Sequence, residues 1–370
     1  MRKGWESMRL TNFVWFQRGF DLPRNNFVEG NVPVYGSTSI LGYHNVSKVK
    51  APGIITGRSG TLGKFQFANE DFWPHNTSLW VKDFKDNDEK FAYYLLQTLD
   101  FTLFNSGGAV PTLNRNLLTA YIVNVPPLET QRKIATILSG YDDLIENNLK
   151  RIKILEEMAQ QTYEEWFVRM RFPGYETAVM NEETGLPVGW EKVKLGDVCE
   201  LVMGQSPKSE HYNDEGNGLP FHQGVKDYGF RFPINNSWST AGNKKAIPNS
   251  ILFSVRAPVG RLNVAAEEVI LGRGLSAINH KKGLNSFLYY QLRKIFFEDN
   301  LIGGGAIYAS VTKNDVERIE IVSADKHSEH FNNYASLIDK EILNLTNQNQ
   351  RLREARDILL PRLMMGIVEV

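Results

Sequence analysis

The chain has 370 residues, of which 42% are hydrophobic and 11% aromatic, so it can form two or more packed cores and is not a disordered protein. Its 42 basic residues equal its 42 acidic residues, which excludes a protein that holds nucleic acid through a large basic excess alone. The single cysteine, Cys199, excludes an internal disulfide, and no apolar run reaches the roughly 20 residues of a membrane span. We therefore expect a cytoplasmic protein that does not enter the membrane.

Four landmarks in the first part of the chain occur again, in the same order, in its second half. The first landmark, Gly4-Trp5-Glu6 with Leu10, occurs again as Gly189-Trp190-Glu191 with Leu195. In the second, Ile55, Arg58, Gly63 and Lys64 match Leu252, Arg256, Gly260 and Arg261. The third is FAYYLL at 91–96, which matches FLYYQL at 287–292, and the fourth is Gly107-Gly108-Ala109, which matches Gly304-Gly305-Ala306. Such self-similarity predicts two copies of one scaffold whose loops have diverged. The second landmark places Arg58 and Arg256 at equivalent positions.

A short strand and then a long helix are predicted after each copy, the strands around 120–125 and 319–322. The first helix should run from Leu128 to about Arg171, and the second from about Phe331 to Leu360, ending at Pro361. Apolar residues recur at heptad spacing, which predicts that the two helices pair as an antiparallel coiled coil. The proposed pairing residues are Leu138, Ile145, Asn148, Ile152 and Leu155 on the first helix and Ile338, Ile342, Leu345, Asn349 and Leu352 on the second.

Two of these residues, Asn148 and Asn349, are polar. A buried polar residue in such a seam reduces stability and fixes the register. The two amides could therefore face one another, or each could lie at the edge of its seam in contact with water.

Together these elements predict an α+β chain with a pseudo-twofold internal repeat. Its two globular α/β domains comprise residues 1–125 and 173–325, and each is followed by a helical region, at 126–172 and 326–370.

Motifs for catalysis, nucleotide binding and metal binding were sought. In Gly57–Phe65, five residues separate Gly57 from Gly63 where a phosphate-binding loop has four, and Phe65 replaces the hydroxyl residue that would bind magnesium. Asn124–Leu128 lacks the aromatic residue of an adenine methyltransferase motif, and Gly303–Gly305 does not follow a strand. His327 and His330 have no third metal ligand at a diagnostic distance. The sequence thus predicts no catalytic centre and no metal site.

The segment from Pro126 to Phe167 resembles the central conserved region of type I restriction-modification specificity subunits, including their Pro-Leu-x-x-Gln-x-x-Ile string at Pro127–Ile134. GLPVGWEKVKLGDV at 185–198 is similar to the opening of a target recognition domain in this family, and GWESMRL at 4–10 opens the first copy in the same way. The resemblance covers essentially the whole chain. Its departure is the second helix, which begins without the Pro-Leu-x-x-Gln string.

The resemblance implies two target recognition domains, each of which reads one half of a bipartite, asymmetric target in double-stranded DNA. The paired helices would form a spacer whose length sets the unread gap. It also implies that two methyltransferase (modification) subunits dock on the chain and that restriction/motor subunits join them. S-adenosylmethionine, ATP and Mg are then expected on those partner subunits, with no cofactor in this chain.

Base recognition needs Arg, Lys, Asn or Gln on loops, whereas phosphates accept bonds from any donor. The predicted DNA-binding residues are Tyr35, Ser37, Arg58, Ser59, Lys64, Asn76 and Thr77 in the first domain, and Gln205, Lys208, Gln223, Lys226, Arg256, Arg261 and Arg273 in the second. Arg58 and Arg256 could instead pair with internal carboxylates, and we expect them to contact phosphate if they contact DNA at all. Tyr35 and Lys226 are better candidates for sequence choice.

Two other classes of function stay open. The chain could be a single-chain DNA methyltransferase or endonuclease with embedded recognition domains, although the catalytic motifs are missing. It could also be a structural scaffold built on the coiled coil, which would not explain why the loops of the two globular copies diverge.

Overall fold

The computed structural model of the chain describes residues 4–105, 111–298 and 310–370. The chain divides into two units: unit 1 comprises Met1–Asn147 and Gln348–Val370, and unit 2 comprises Asn148–Asn347. Both Gly-Gly-Ala landmarks, and with them the Gly303–Gly305 run, lie outside the described residues.

Unit 1 contains nine strands among its described residues, two short or medium helices and part of two long ones. The strands are β1 (Glu6–Arg9), β2 (Trp15–Arg18), β3 (Val32–Tyr35), β4 (Ile40–His44), β5 (Gly53–Gly57), β6 (Phe65–Ala68), β7 (Trp73–Pro74), β8 (Ser78–Asp83) and β9 (Ile122–Val125). The helices are α1 (Leu10–Phe13), α2 (Glu89–Gln97) and the long α3 (Leu128–Tyr163), which continues into unit 2.

Unit 2 contains eleven strands among its described residues. They are β10 (Glu191–Lys194), β11 (Cys199–Met203), β12 (Tyr212–Asn213), β13 (Leu219–His222), β14 (Trp238–Ser239), β15 (Lys245–Ala246), β16 (Ile251–Ser254), β17 (Leu262–Val264), β18 (Val269–Leu271), β19 (Leu275–His280) and β20 (Glu320–Ser323). Its helices are α4 (Leu195–Val198), α5 (Asn285–Arg293), α6 (Lys313–Glu317) and the long α7 (Asp325–Met364), which ends in unit 1.

The two units share one sheet order. Unit 1 has an antiparallel sheet β2-β8-β5-β6, and unit 2 has the antiparallel sheet β11-β19-β16-β17, whose strands are the counterparts in the same sequence. In a second sheet, β3 pairs in parallel with β7, and β13 pairs in parallel with β18. A separate pair, β1 with β9 or β10 with β20, joins the start of each copy to its last strand. The predicted internal repeat is therefore confirmed at the level of strand order.

Burial explains why the central strands have no apolar–polar alternation. All residues of β5 (GIITG) and of β16 (ILFS) are buried, as expected for strands that are covered on both faces. The FxYYxL landmarks form α2 and α5, and the Phe, the second Tyr and the last Leu of each landmark are buried in the core of their own unit. Asp88 caps α2 by accepting a hydrogen bond from the backbone N–H of Phe91 at 2.8 Å.

Aromatic packing holds the end of the first long helix. Phe167 lies in a π-helical turn, Glu164–Val168, and its ring centroid is 5.3 Å from that of Trp190, the tryptophan of the second GWE landmark. The ring centroid of Phe172 also lies 4.9 Å from that of Trp190, and Phe287 of α5 lies 4.8 Å from Phe167. The opening of the second copy is thus fixed against the helix that precedes it.

Within each unit, the two long helices contact each other. In unit 1, Arg356 of α7 binds Asp142 of α3 at 2.5 Å, and the Asn349 amide donates to the carbonyl oxygen of Ile145 at 3.4 Å. In unit 2, Arg151 of α3 pairs with Glu341 of α7 at 2.9 Å, and the hydroxyls of Thr162 and Tyr334 are 3.5 Å apart. In both units, later residues of α3 meet earlier residues of α7.

The helix boundaries differ from the prediction. The α-helical part of α3 ends at Tyr163, before the π-helical turn, and the predicted end at about Arg171 is wrong. Helix α7 begins at Asp325, six residues before the predicted start, where the Ala324 N–H donates to the Ser328 hydroxyl at 3.2 Å. The helix also passes through Pro361, where it was predicted to end. Pro361 lies in the last turn, so its missing N–H leaves only one carbonyl without an intrahelical partner.

Candidate nucleic-acid interface

Backbone hydrogen bonds bring three connections of unit 2 to one end of its sheets. The Gly272 N–H donates to the carbonyl of His222 at 2.8 Å, and the Gly274 N–H donates to that of Gln223 at 3.1 Å. The Val255 N–H in turn donates to the carbonyl of Gly274 at 2.9 Å. The ends of β13 and β16 therefore meet the connection between β18 and β19.

The same three connections meet in unit 1. The His75 N–H donates to the carbonyl of Tyr35 at 2.8 Å, and the Arg58 N–H donates to the carbonyl of Thr77 at 3.0 Å. The Ser37 hydroxyl also donates to the carbonyl of Thr77, at 3.0 Å. Nine of the predicted DNA-binding residues gather at these two places. We call them the unit 1 loop cluster (Ser37, Arg58, Ser59, Asn76, Thr77) and the unit 2 loop cluster (Gln205, Gln223, Arg256, Arg273).

These hydrogen bonds correct the predicted equivalence of the two arginines. Arg58 and Val255 make the same bond, to Thr77 and Gly274 respectively, so Val255 is the counterpart of Arg58. Arg256 is the counterpart of Ser59, as the isolated bridges Ser59–Thr112 and Arg256–Ser310 also indicate. The matched landmark is out of register by one residue at this point, because an arginine occurs next to the true equivalent position.

Side chains of the unit 1 loop cluster are mostly engaged within the unit. The Asn76 amide donates to the Asp21 carboxylate, and the Thr77 hydroxyl lies 2.9 Å from Nδ1 of His75. Arg58 is half-buried, and among the described residues its buried Nε has no hydrogen-bond partner. The alternative in which Arg58 pairs with an internal carboxylate therefore has no support in the described part of the chain. Lys64 is exposed, on the hairpin between β5 and β6.

The unit 2 loop cluster is open to solvent. Gln205, Gln223, Arg256 and Arg273 are all exposed, and within the described ranges neither arginine pairs with a carboxylate. Ser206, which the sequence did not single out, connects the cluster: its hydroxyl donates to Oε1 of Gln223 at 2.8 Å and accepts from the Arg273 N–H at 3.2 Å. Ser206 lies next to the predicted residue Gln205, but no pattern in the sequence distinguished this serine from other loop serines.

The remaining predicted residues lie outside the two clusters. Tyr35 is wrong as an exposed loop residue: it ends β3, only 8% of it is exposed, and its ring packs edge-on against Phe72 at 5.7 Å. Burial raises the pKa of the Tyr35 hydroxyl, and the nearby carboxylate of Glu70 adds to the rise. Lys208, Lys226 and Arg261 are exposed on connections that continue from the unit 2 loop cluster.

Gln131, in the Pro-Leu-x-x-Gln string, is a structural residue. Its Oε1 accepts from the Asp88 N–H at 3.0 Å, and its Nε2 donates to Asn87 and to the carbonyl of Pro126, both at 2.9 Å. Unit 2 uses a different contact, since Asn332 of α7 caps α5 by accepting from the backbone N–H groups of Ser286 and Phe287.

The predicted helix-pairing residues are buried or half-buried. The half-buried ones are Leu155 and Leu352, and the buried ones are Leu138, Ile145, Asn148, Ile152, Ile338, Ile342, Leu345 and Asn349. Only 6% of Asn148 and 1% of Asn349 is exposed, so the alternative of solvated amides is wrong. Their burial agrees with a seam position for each.

Two clusters of charged and tyrosine side chains were not predicted from the sequence. In unit 1, the Tyr94 hydroxyl donates to Asp142 at 2.5 Å, and Asp142 also binds Arg356. In unit 2, the Tyr290 hydroxyl donates to Asp339 at 3.4 Å, and Asp339 binds Arg231.

Arg231 is almost fully buried, although it lies in the connection between β13 and β14 and not on a helix. It also pairs with Glu156 of α3 at 3.2 Å, and Glu156 binds Arg293. The guanidinium stacks 3.4 Å from the centroid of Tyr289. The tyrosines were visible in the FxYYxL landmarks, but the carboxylates that they bind lie 48 and 49 residues further along the chain.

The described residues hold no group of three or more His, Cys, Asp or Glu side chains that could bind a metal ion. Burial raises the pKa of the Cys199 thiol to about 12, so this thiol is not a nucleophile at neutral pH. None of the helices in the described part of the chain is both long and apolar enough to cross a membrane.

A family comparison agrees with the two-copy architecture. The profile of the type I restriction modification DNA specificity domain matches residues 2–157 and 187–323, one segment for each copy. The chain therefore belongs to the family of type I restriction-modification DNA specificity domains. The two matched segments are two copies of such a domain, and the relatives that match are named type I restriction enzyme specificity subunits.

Two relatives and one solved structure illustrate the similarity. The chain is 36% identical over 214 residues to a protein assigned as the type I restriction enzyme MjaX specificity subunit of Methanocaldococcus jannaschii. The aligned segment covers 57% of this chain and 50% of that protein. It is 27% identical over 306 residues to the type I restriction enzyme MjaIX specificity subunit of the same organism. This alignment covers 76% of this chain and 69% of that protein. The chain thus spans half the length of the first relative.

The solved structure is the crystal structure of the type I restriction-modification system S subunit from M. genitalium. It matches with a TM-score of 0.67 at 16% identity and covers 97% of this chain and 96% of that chain. At this identity the likeness shows a shared fold.

Proposed function

We propose that this chain recognises a bipartite sequence in double-stranded DNA, each unit binding one half through its loop cluster. The observation that carries the proposal is the repeat itself. The two units have the same sheet order and the same backbone hydrogen bonds at the end where the clusters lie, yet the side chains there differ. One scaffold with two sets of loops is expected when two different ligands of one chemical class are bound.

Zero net charge is compatible with this function because the charge need not be spread evenly over the surface. Arg256 and Arg273 of the unit 2 loop cluster are exposed, and neither pairs with a carboxylate among the described residues. The exposed arginines and glutamines of unit 2 then present donors where a base edge or a phosphate would lie.

We further propose that the chain has no catalytic centre and works with partners. Two methyltransferase subunits and restriction/motor subunits would carry the chemistry, with S-adenosylmethionine, ATP and Mg bound to them. Family membership supports this assembly, and nothing in the family match supports the alternative of a single-chain methyltransferase or endonuclease. A cytoplasmic location would follow from the DNA ligand.

The long helices would act as an antiparallel coiled coil. The Arg356–Asp142 and Asn349–Ile145 contacts within unit 1 and the Arg151–Glu341 contact within unit 2 support this pairing. The burial of the heptad residues supports it as well.

The test is to compare the purified chain alone with the chain joined to its methyltransferase subunit. We expect the chain alone to bind DNA weakly and neither to methylate nor to cleave it. With the methyltransferase subunit, binding should become sequence-specific, and sequencing of methylated adenines should give a motif with two separated halves. Methylation by the chain alone, or a motif without a gap, would contradict the proposal.

A further inference from the structure

The backbone register identifies four positions at which the two loop clusters can be compared residue by residue. Two residues are equivalent when they make the same hydrogen bonds or adjoin residues that do so. The four equivalent pairs are Phe20 and Gln205, Gly36 and Gln223, Ser59 and Arg256, and Asn76 and Arg273. Unit 2 has a long side chain with hydrogen-bond donors at each position, where unit 1 has an apolar, a small or a short polar residue. The two units therefore present different chemistry from the same place in the fold.

The fourth pair differs most in how its side chains are engaged. In unit 1, the Asn76 amide is bound to the carboxylate of Asp21. The residue that corresponds to Asp21 in unit 2 is Ser206, and its hydroxyl accepts from the backbone N–H of Arg273. The Arg273 guanidinium is consequently left exposed and without a carboxylate partner in the described part of the chain.

The backbone around Arg273 is held tightly. A Cβ atom on Gly272 would lie 2.6 Å from Cα of Gln223, and one on Gly274 would lie 2.5 Å from the carbonyl oxygen of Gln223. Both glycines also donate hydrogen bonds to the end of β13. The loop thus fixes the backbone at Arg273, whose guanidinium has no carboxylate partner among the described residues. A fixed backbone reduces the entropy lost when the side chain binds a ligand.

From this arrangement we propose that Arg273 reads a guanine in the half-site bound by unit 2. Guanine presents two acceptors, N7 and O6, in the major groove, and arginine binds both with its planar fork of donors. Gln223, which is exposed, adds a further donor, because its Oε1 accepts from the Ser206 hydroxyl and its amide nitrogen has no hydrogen-bond partner among the described residues. A surface so rich in donors fits the acceptors of guanine better than the donor of cytosine. The proposal rests on the proposed function.

The experiment selects DNA duplexes from a randomised library with the chain joined to its methyltransferase subunit, and sequences the bound fraction. For Arg273→Ala we expect the preference for one G·C pair in one half-site to disappear. The ratio between the affinity for the preferred sequence and the affinity for sequences changed at that pair should fall by roughly 5- to 150-fold. The other half-site should be unchanged. Because Arg273 is exposed, the melting temperature of the variant should equal that of the wild type.

Asn76→Ala is the matched control at the equivalent position of unit 1, and it should leave the G·C preference of the unit 2 half-site intact. If Arg273→Ala weakens binding to all sequences equally and lowers its salt dependence, Arg273 contacts phosphate and the inference is wrong. It is equally wrong if the affected pair is A·T or if no preference changes. A wild-type complex that selects no sequence would overturn the proposed function together with the inference, so the two failures are distinguishable.

Discussion

Gln131 shows how a single residue of the Pro-Leu-x-x-Gln string acts on the fold. It is only 3% exposed, and its amide satisfies a donor and an acceptor at the start of α2 as well as the carbonyl of Pro126. A buried amide with three such bonds fixes the direction in which α3 leaves the domain, since any other direction would leave these groups unpaired. The string therefore indicates a structural junction in this chain.

His222 provides a prediction at the residue scale. It is fully buried at the end of β13, where unit 1 has Tyr35, and burial lowers its pKa although Asp227 opposes the shift. Because the unfolded chain binds a proton on this residue near its ordinary pKa of 6.5 and the folded chain does not, stability should fall as the pH drops below about 6.5. We expect His222→Phe to reduce the loss of melting temperature between pH 7.5 and 5.5.

Burial also lowers the pKa of His280 and His327, so part of the acid sensitivity should remain in the variant. His211→Gln serves as the control because that side chain is 38% exposed. An equal loss of melting temperature in the wild type and in His222→Phe would show that His222 takes up its proton in the folded chain.

At the scale of elements, each unit joins its FxYYxL helix to a long helix through a Tyr–Asp contact, Tyr94 to Asp142 and Tyr290 to Asp339. The arginine that completes the cluster has a different origin in each unit. In unit 1 it is Arg356, on α7, whereas in unit 2 it is Arg231, in the connection between β13 and β14. In unit 2 the ion pair therefore joins the β13–β14 connection to the long helices, whereas in unit 1 it joins the two long helices to each other.

This difference predicts unequal effects of removing the two arginines. Arg231→Met removes a fully buried cation, which leaves the half-buried Asp339 without a cation and takes one of two arginines from the buried Glu156. We expect the free energy of unfolding to fall by about 3 kcal/mol or more. Arg356→Met should reduce it by about 1 kcal/mol or less, because both partners in that pair are partly exposed. Urea unfolding of the two variants measures the difference.

Adding Asp339→Asn to Arg231→Met removes the uncompensated charge and should restore part of the lost stability. Similar losses for Arg231→Met and Arg356→Met, or no recovery in the double variant, would contradict the assignment of a buried ion pair.

The sequence predicted those elements that depend on local patterns and on the repeat. The landmarks were sufficient to place the two copies and the long helices, because heptad spacing and self-similarity can be read along the chain. Hydrogen-bond register depends on distant segments, so the one-residue error between Arg58 and Arg256 was not visible. Nor was the burial of Tyr35, since a polar-tipped residue beside glycine and serine has the same pattern whether it ends a strand or lies in a loop.

At the scale of the whole molecule, the separate cores of the two copies predict that recognition is modular. Each unit has its own hydrophobic core and its own complete set of sheets. Replacing residues 185–325 by the corresponding domain of another specificity subunit should therefore change one half of the methylated sequence and leave the other half as it was. Sequencing of methylated adenines in cells that carry the chimera, beside cells with the parental chain, gives the answer.

If both halves of the sequence changed in the chimera, recognition would not divide between the two copies as proposed. A change confined to the half assigned to unit 1 would mean that the assignment of half-sites is reversed.

The glycines on either side of Arg273 have a consequence for how such a protein can evolve. From β5 to β8, residues of unit 1 have their counterparts in unit 2 at a constant distance of 197 positions, for example Ile55 with Leu252 and Trp80 with Ala277. Across this stretch the copies have thus diverged by substitution, without insertions. Because the backbone bonds hold position 273 whatever its side chain, a single codon change there can be tolerated by the fold. Under the role proposed for Arg273, a new specificity can therefore arise by one substitution at this exposed position with little change in stability.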